Sequence, residues 1–147
     1  VYLHDEVGYN YRLPNLNAAL GCAQLEGLDS ALKRKRRLAE RYLAGLAGTR
    51  GVSLIWEPEG ARSNFWLNTV RCDTPARASR LLKRLNENGF EARPLWTPCH
   101  RQPMFAALST GSMNTADALW RTCFNIPSSA ALSGRDADGI CRLLRLS

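Results

Sequence analysis

Lysine is scarce in this 147-residue sequence: of 20 basic residues only Lys33, Lys35 and Lys83 are lysines, so nearly all the positive charge is guanidinium. Amine chemistry therefore has only those three side chains to draw on. Histidine is rarer still, with His4 and His100 alone. Cys22, Cys72, Cys99, Cys123 and Cys141 are odd in number and form no Cys-x-x-Cys pair, which argues against a disulfide framework or a zinc site and for free thiols in a reducing compartment. No run approaches the ~18 consecutive apolar residues of a membrane span, and Val1–Glu6 has neither the charged start nor the apolar stretch of a signal peptide. The sequence predicts a cytoplasmic protein with no membrane partner. Glycine-rich phosphate loops, His-Glu-x-x-His pairs, internal repeats and low-complexity tracts are also missing. The first residue is Val rather than Met and falls in what reads as a polar loop, which suggests a fragment.

A hydrophobic fraction of 45% with 22% charged residues suits one compact domain over residues 1–147. The net charge of +7, carried mainly by arginine, favours anionic groups such as phosphates. It also permits nucleic acid, although no recognition motif supports that partner and the expectation is that none is bound.

Pro14 and Asn15 introduce leucines at mostly three-to-five spacing from Leu16 to Leu46, closing near Gly48, which predicts one long amphipathic helix with Gly21 and Gly27 as places where it can bend. Within it, the side chains of Lys33-Arg34-Lys35-Arg36-Arg37 point in several directions. They read as a solvated face rather than one binding stripe. Val52–Trp56, Asn64–Arg71 and Phe90–Leu95 are predicted strands. Thr74 caps a helix with Pro75 at its first position and Ala78, Leu81, Leu82 and Leu85 on its buried face. Two prolines between Trp96 and Pro103 block helix and ladder alike and predict a rigid loop. A short helix over about 115–122, an extended piece Cys123–Ile126, and a last helix begun by Ser133 with Asp136 complete the chain. The expected fold is α+β: a small, mainly antiparallel sheet of three to four strands with helices on one face and a long N-terminal helix.

Two loops carry the candidate chemistry. Tyr9-Asn10-Tyr11-Arg12 places an amide and a guanidinium before a helix N-terminus, where they can accept a phosphate; packing of the two tyrosines is the competing reading. His100-Arg101-Gln102 offers donors on a constrained loop, suited to hydroxyl or phosphate oxygens, or to local hydrogen bonds alone. Cys99 and His100 point to opposite sides of an extended segment and make a poor nucleophile and base.

These loops and the helix between them resemble one family. Gly8-Tyr9-Asn10-Tyr11-Arg12-Leu13 and the Ala18-Ala19-Leu20-Gly21 helix are similar to the corresponding stretch of the DegT/StrS sugar aminotransferases. Arg93-Pro94-Leu95-Trp96-Thr97-Pro98-Cys99-His100-Arg101-Gln102-Pro103 is similar to that family's substrate-side loop, and Asn125-Ile126-Pro127-Ser128-Ser129 to its later turn. The resemblance implies the C-terminal part of an enzyme that uses pyridoxal phosphate (PLP) to move an amino group from an amino-acid donor to a nucleotide-linked keto-deoxysugar for surface polysaccharides or sialic-acid-like sugars. It implies a homodimer in which Asn10 reaches the PLP phosphate bound by the partner subunit, with Arg12 near the same interface. Arg93, His100 and Gln102 are implied on the substrate side. The cofactor-bonding lysine belongs, in the family, to a large N-terminal domain that this sequence lacks, so the chain alone is expected to be inactive and not to bind PLP. A truncated, non-catalytic dimerisation module is the alternative.

Overall fold

The computed structural model describes residues 3–9, 12–108 and 111–146. Helix α1, Asn15–Glu26, stops at Gly27, and α2, Leu28–Leu46, begins immediately after it. The expected single helix is thus two. The break falls at one of the two glycines where bending was anticipated, because glycine holds a helix less firmly than any residue but proline. Short strand β1, Val52–Leu54, and β2, Asn68–Cys72, follow, then α3, Pro75–Glu87. A two-residue β3, Arg93–Pro94, leads to single 3-10 turns at Cys99–Arg101 and Pro103–Phe105. Helix α4, Asn114–Thr122, runs directly into β4, Cys123–Ile126, and α5, Gly134–Arg145, closes the fold.

The sheet is four-stranded in the order β1-β2-β4-β3, with every pairing antiparallel. The second strand starts at Asn68 rather than Asn64, because Phe65 has a positive φ and the amides of Phe65 and Trp66 are taken by the Ser63 and Asn64 side chains. The third shrinks from six residues to two, because Pro94 has no amide hydrogen to extend the ladder. The proline-rich loop is not wholly without helix, since each 3-10 turn has a proline at or just before its start, where a missing N–H costs nothing.

Pleating gives the sheet two unlike faces. Leu54, Val70 and Phe124 stand in one row across three strands, and with Val52, Cys72 and Ile126 they form the buried face. Leu38, Tyr42 and Leu46 of α2, Ala78, Leu81 and Leu85 of α3, and Ala137, Ile140, Cys141 and Leu144 of α5 cover it as one core. The leucine spacing in α2 misleads at Leu43, which is exposed. Ala39 and Tyr42 take the inward positions instead. Thr74 Oγ1 accepts from Arg77 N at 3.2 Å and Ser133 Oγ from Asp136 N at 3.1 Å, so both anticipated caps form.

Helix α1 buries none of its residues in this chain, and Leu16 remains 80% exposed. Leu85, by contrast, is fully buried. Leu85→Ala is therefore expected to cost about 2–5 kcal/mol by transfer and cavity terms, and Leu16→Ala less than about 0.5 kcal/mol. Urea denaturation of the two variants measures the difference.

Candidate functional site

On the sheet face away from the core, Thr69, Asn125 and Arg93 align across β2, β4 and β3, and Thr69 Oγ1 donates to Asn125 Oδ1 at 2.8 Å. Beside this polar row lies a cleft of about 400 Å³, walled by Trp66, Glu91, Arg93, Trp96, Asn125 and the Pro127–Ser129 turn. Arg93 Nε donates to Glu91 Oε1 at 2.9 Å, and the guanidinium also bonds that oxygen through Nη2. Of the predicted substrate residues, Arg93 lines this cleft, while His100 and Gln102 are not among its walls; nor is Arg12, predicted on the cofactor side.

Two of the loops that wall the cleft are held from α2. Lys35 Nζ donates to Ser128 O at 2.6 Å and to Trp66 O at 3.3 Å, and Tyr42 Oη donates to Pro127 O at 2.9 Å. Burial pushes the Lys35 ammonium down from its ordinary pKa and the Tyr42 phenol up. Ser128 Oγ accepts from Asn68 N at 2.7 Å and from Asn68 Nδ2 at 3.1 Å, and donates to Ile126 O at 2.8 Å. The five-residue basic run is thus not simply a solvated face. Lys33, Arg34 and Arg37 are exposed, but Lys35 binds two loops and Arg36 holds Glu57 through a two-point ion pair at 2.6 and 3.1 Å.

The second loop is organised around a carboxylate that sequence reasoning did not single out. Asp117, in the first turn of α4, receives the Arg101 guanidinium as a fork, Nε and Nη2 each at 2.6 Å, and meets His100 Nε2 at 2.9 Å. That contact is a hydrogen bond when Nε2 carries the proton. Arg101 also lies 5.3 Å over the Trp120 ring. Gln102 is buried; its Nε2 donates to Thr97 O at 3.2 Å, and its Oε1 accepts from His4 N at 3.0 Å. The structure therefore brings the N-terminal segment onto the 97–102 loop through Gln102. Arg12 is exposed just before α1, and Asn10 lies outside the described residues.

Lys33 and Lys83 are exposed on α2 and α3, Lys83 lies 3.6 Å from Glu87, and Lys35 is spent on two carbonyls. Among the described residues no three His, Cys, Asp or Glu side chains are grouped to hold a metal ion, and no helix is long and apolar enough to cross a membrane.

The described residues thus form an α+β layer with a polar face beside the 93–102 loop. The sequence pattern of the DegT/DnrJ/EryC1/StrS aminotransferase family matches residues 1–145, and the chain belongs to that family. It is 42% identical over 104 residues, 71% of this chain and 27% of the relative, to EpsN of Bacillus subtilis, whose name is that of a pyridoxal phosphate-dependent aminotransferase. It is 34% identical to the GDP-perosamine synthase of Vibrio cholerae over 98% of this chain and 40% of that one. The crystal structure of DesV from S. venezuelae superposes with a TM-score of 0.82 at 30% identity, covering 98% of this chain and 39% of the other. The chain thus spans two fifths or less of the length of these relatives.

Arg101, with His100 second, holds the Asp117 carboxyl well below the usual carboxylate range. A depressed folded-state pKa adds stability that is complete above the unfolded value near ~4 and is lost as pH falls toward the folded one. Asp117→Asn is expected to lower the urea midpoint at pH 7, and the gap from the parent should close as the pH drops below about 4. A gap constant from pH 7 to pH 2 contradicts the pairing.

Proposed function

We propose that this chain is the C-terminal domain of a PLP-dependent aminotransferase that transfers an amino group from an amino-acid donor to a nucleotide-linked keto-deoxysugar, for surface polysaccharides or sialic-acid-like sugars. The observation that carries the reading is the family match across residues 1–145, because it includes both donor-bearing loops and the cleft between the sheet and the Pro127–Ser129 turn. When bound, PLP supplies the electron sink for amino transfer, and the protein supplies orientation and electrostatics.

The described residues do not fit the covalent seat of the cofactor, since no lysine is placed for it. They do fit its periphery and the substrate side. In this reading Arg93 meets the sugar or diphosphate from the cleft, and a planar guanidinium suits either. His100, held through Nε2 by Asp117, accepts from a substrate hydroxyl at Nδ1, and Gln102 holds the segment around His4 against the substrate loop. Asn10 and Arg12 serve the cofactor phosphate of a partner subunit. The exposed Leu16, Leu20 and Leu25 of α1 support a homodimer, since large apolar side chains left in water on a helix favour association. Five unpaired cysteines accord with a cytoplasmic site. On this reading the chain by itself neither bonds PLP nor turns over substrate.

The gene product that carries this segment, expressed from its own start codon, should convert a nucleotide-linked 4-keto-6-deoxyhexose with glutamate to the aminosugar. The Arg93→Ala variant should raise KM for the sugar nucleotide by roughly tenfold with a smaller change in kcat, as loss of a binding contact does. Absence of transamination with every nucleotide-linked ketosugar tried would overturn the reading.

A further inference from the structure

The positive charge of this chain is unevenly placed. Helices α2, α3 and α5 hold thirteen basic residues against five acidic ones, while the rest of the chain holds seven against eight. The net charge of +7 therefore resides in the three helices that cover one face of the sheet. Their inward positions are apolar, so most of that charge is turned toward solvent.

The three helices form one layer. Arg41 of α2 holds Asp138 of α5 through Nε at 2.8 Å and Nη2 at 2.6 Å, and four residues further along α2 the Gly45 carbonyl accepts from Arg145 Nε at 2.7 Å. Helix α3 packs against α5 as well, where Arg84 Nη1 donates to Leu143 O at 3.2 Å. Some of the cations are used within the fold: Lys35 and Arg36 hold loops, Arg77 pairs with Asp73, and Lys83 lies near Glu87. Lys33, Arg34, Arg37, Arg80, Arg135 and Arg142 are exposed, and among the described residues none of them has a carboxylate within ion-pairing distance. Like charges gathered on one surface repel one another and raise the local concentration of anions.

The shape and chemistry of the layer select the partner. Large exposed apolar side chains lie mainly elsewhere, as with Leu16, Leu20 and Leu25 of α1 and Ile55 and Trp66 between the first two strands; α2, α3 and α5 expose only Leu28 and Leu43. A protein partner would need apolar or aromatic anchors at the centre of its contact, which this layer lacks. A nucleic-acid groove is entered by a helix or a protruding ribbon, whereas these helices lie with their flanks against the sheet. A broad basic plane fits a broad anionic one. We propose that the outer faces of α2, α3 and α5 are a docking surface for the headgroups of an anionic lipid bilayer. Each Lys or Arg within about a Debye length, ~10 Å at 0.1 M salt, adds to such adsorption. Guanidinium groups suit it because they fork onto phosphate oxygens. The contact is peripheral and needs no spanning helix, and it leaves the cleft on the opposite face of the sheet open to solution.

Co-sedimentation of the 147-residue chain with vesicles of phosphatidylglycerol and phosphatidylcholine, against phosphatidylcholine alone, tests the surface. Binding is expected on the anionic vesicles only, and high salt should release it. The double variant Arg37→Glu, Arg142→Glu should bind roughly tenfold more weakly or worse. Arg62→Glu with Arg71→Glu makes the same change of charge on a loop and on the open sheet face, and should stay within about threefold of the parent. Circular dichroism should be unchanged in both. Equal losses in the two double variants would reduce the effect to net charge and overturn the surface. Absence of binding to the anionic vesicles overturns it too, as does salt-resistant or equal binding to phosphatidylcholine, which points to the leucines of α1. Release of the chain from the vesicles by random-sequence duplex DNA at equal phosphate concentration would assign the layer to nucleic acid instead.

Discussion

The ammonium of Lys35 is the contact on which the open face of this domain depends. It reaches from α2 to the carbonyls of Trp66 and Ser128, tying together two loops that are far apart in sequence and that form the cleft wall. Two turns further along α2 the Tyr42 hydroxyl holds Pro127, and between them Leu38 and Ala39 enter the core. A single helix face therefore does two jobs. Its apolar positions close the core against β1 and α5, and its polar ones hold the loops around Trp66 and Pro127–Ser128. Hydrogen bonds from a charged donor to buried or half-buried carbonyls are stronger than neutral ones, which suits a fixed wall.

The same logic separates the two loops. The 97–102 loop is organised by Asp117, which gathers His100 and Arg101 onto α4, and by Gln102, which draws in the segment around His4. The 93–96 segment faces the cleft with Arg93 and Trp96. The donors that look alike in sequence thus divide into those that build the surface and those that present themselves on it. Rigid loops of this kind suit the proposed role of orienting substrate.

Much of the fold was legible in the sequence, since its signals are local. The caps at Thr74 and Ser133, the β-branched run of β2 and the apolar spacing of α3 each act within a few residues. What was not legible depends on tertiary partners. The inward turn of Tyr42 in place of Leu43 follows from where β1 and α5 lie, and the shortness of β3 follows from a ladder that Pro94 cannot extend. Lys35 read as one charge in a run of five. Only its register with Leu38, Ala39, Tyr42 and Leu46, all on one helix face, hinted that it points inward. Asp117 gave no signal, since its partners lie 16 and 17 residues away, and Trp66 was taken into a strand because aromatic residues favour strands.

The central proposal is that this chain shapes the substrate side of an aminotransferase site without providing its covalent seat. The most direct measurement is the absorbance spectrum of the purified chain with added PLP, followed by borohydride reduction and mass analysis. The account predicts only the spectrum of free PLP and no adduct enriched at Lys33, Lys35 or Lys83. A violet-region band with one lysine labelled stoichiometrically would contradict it.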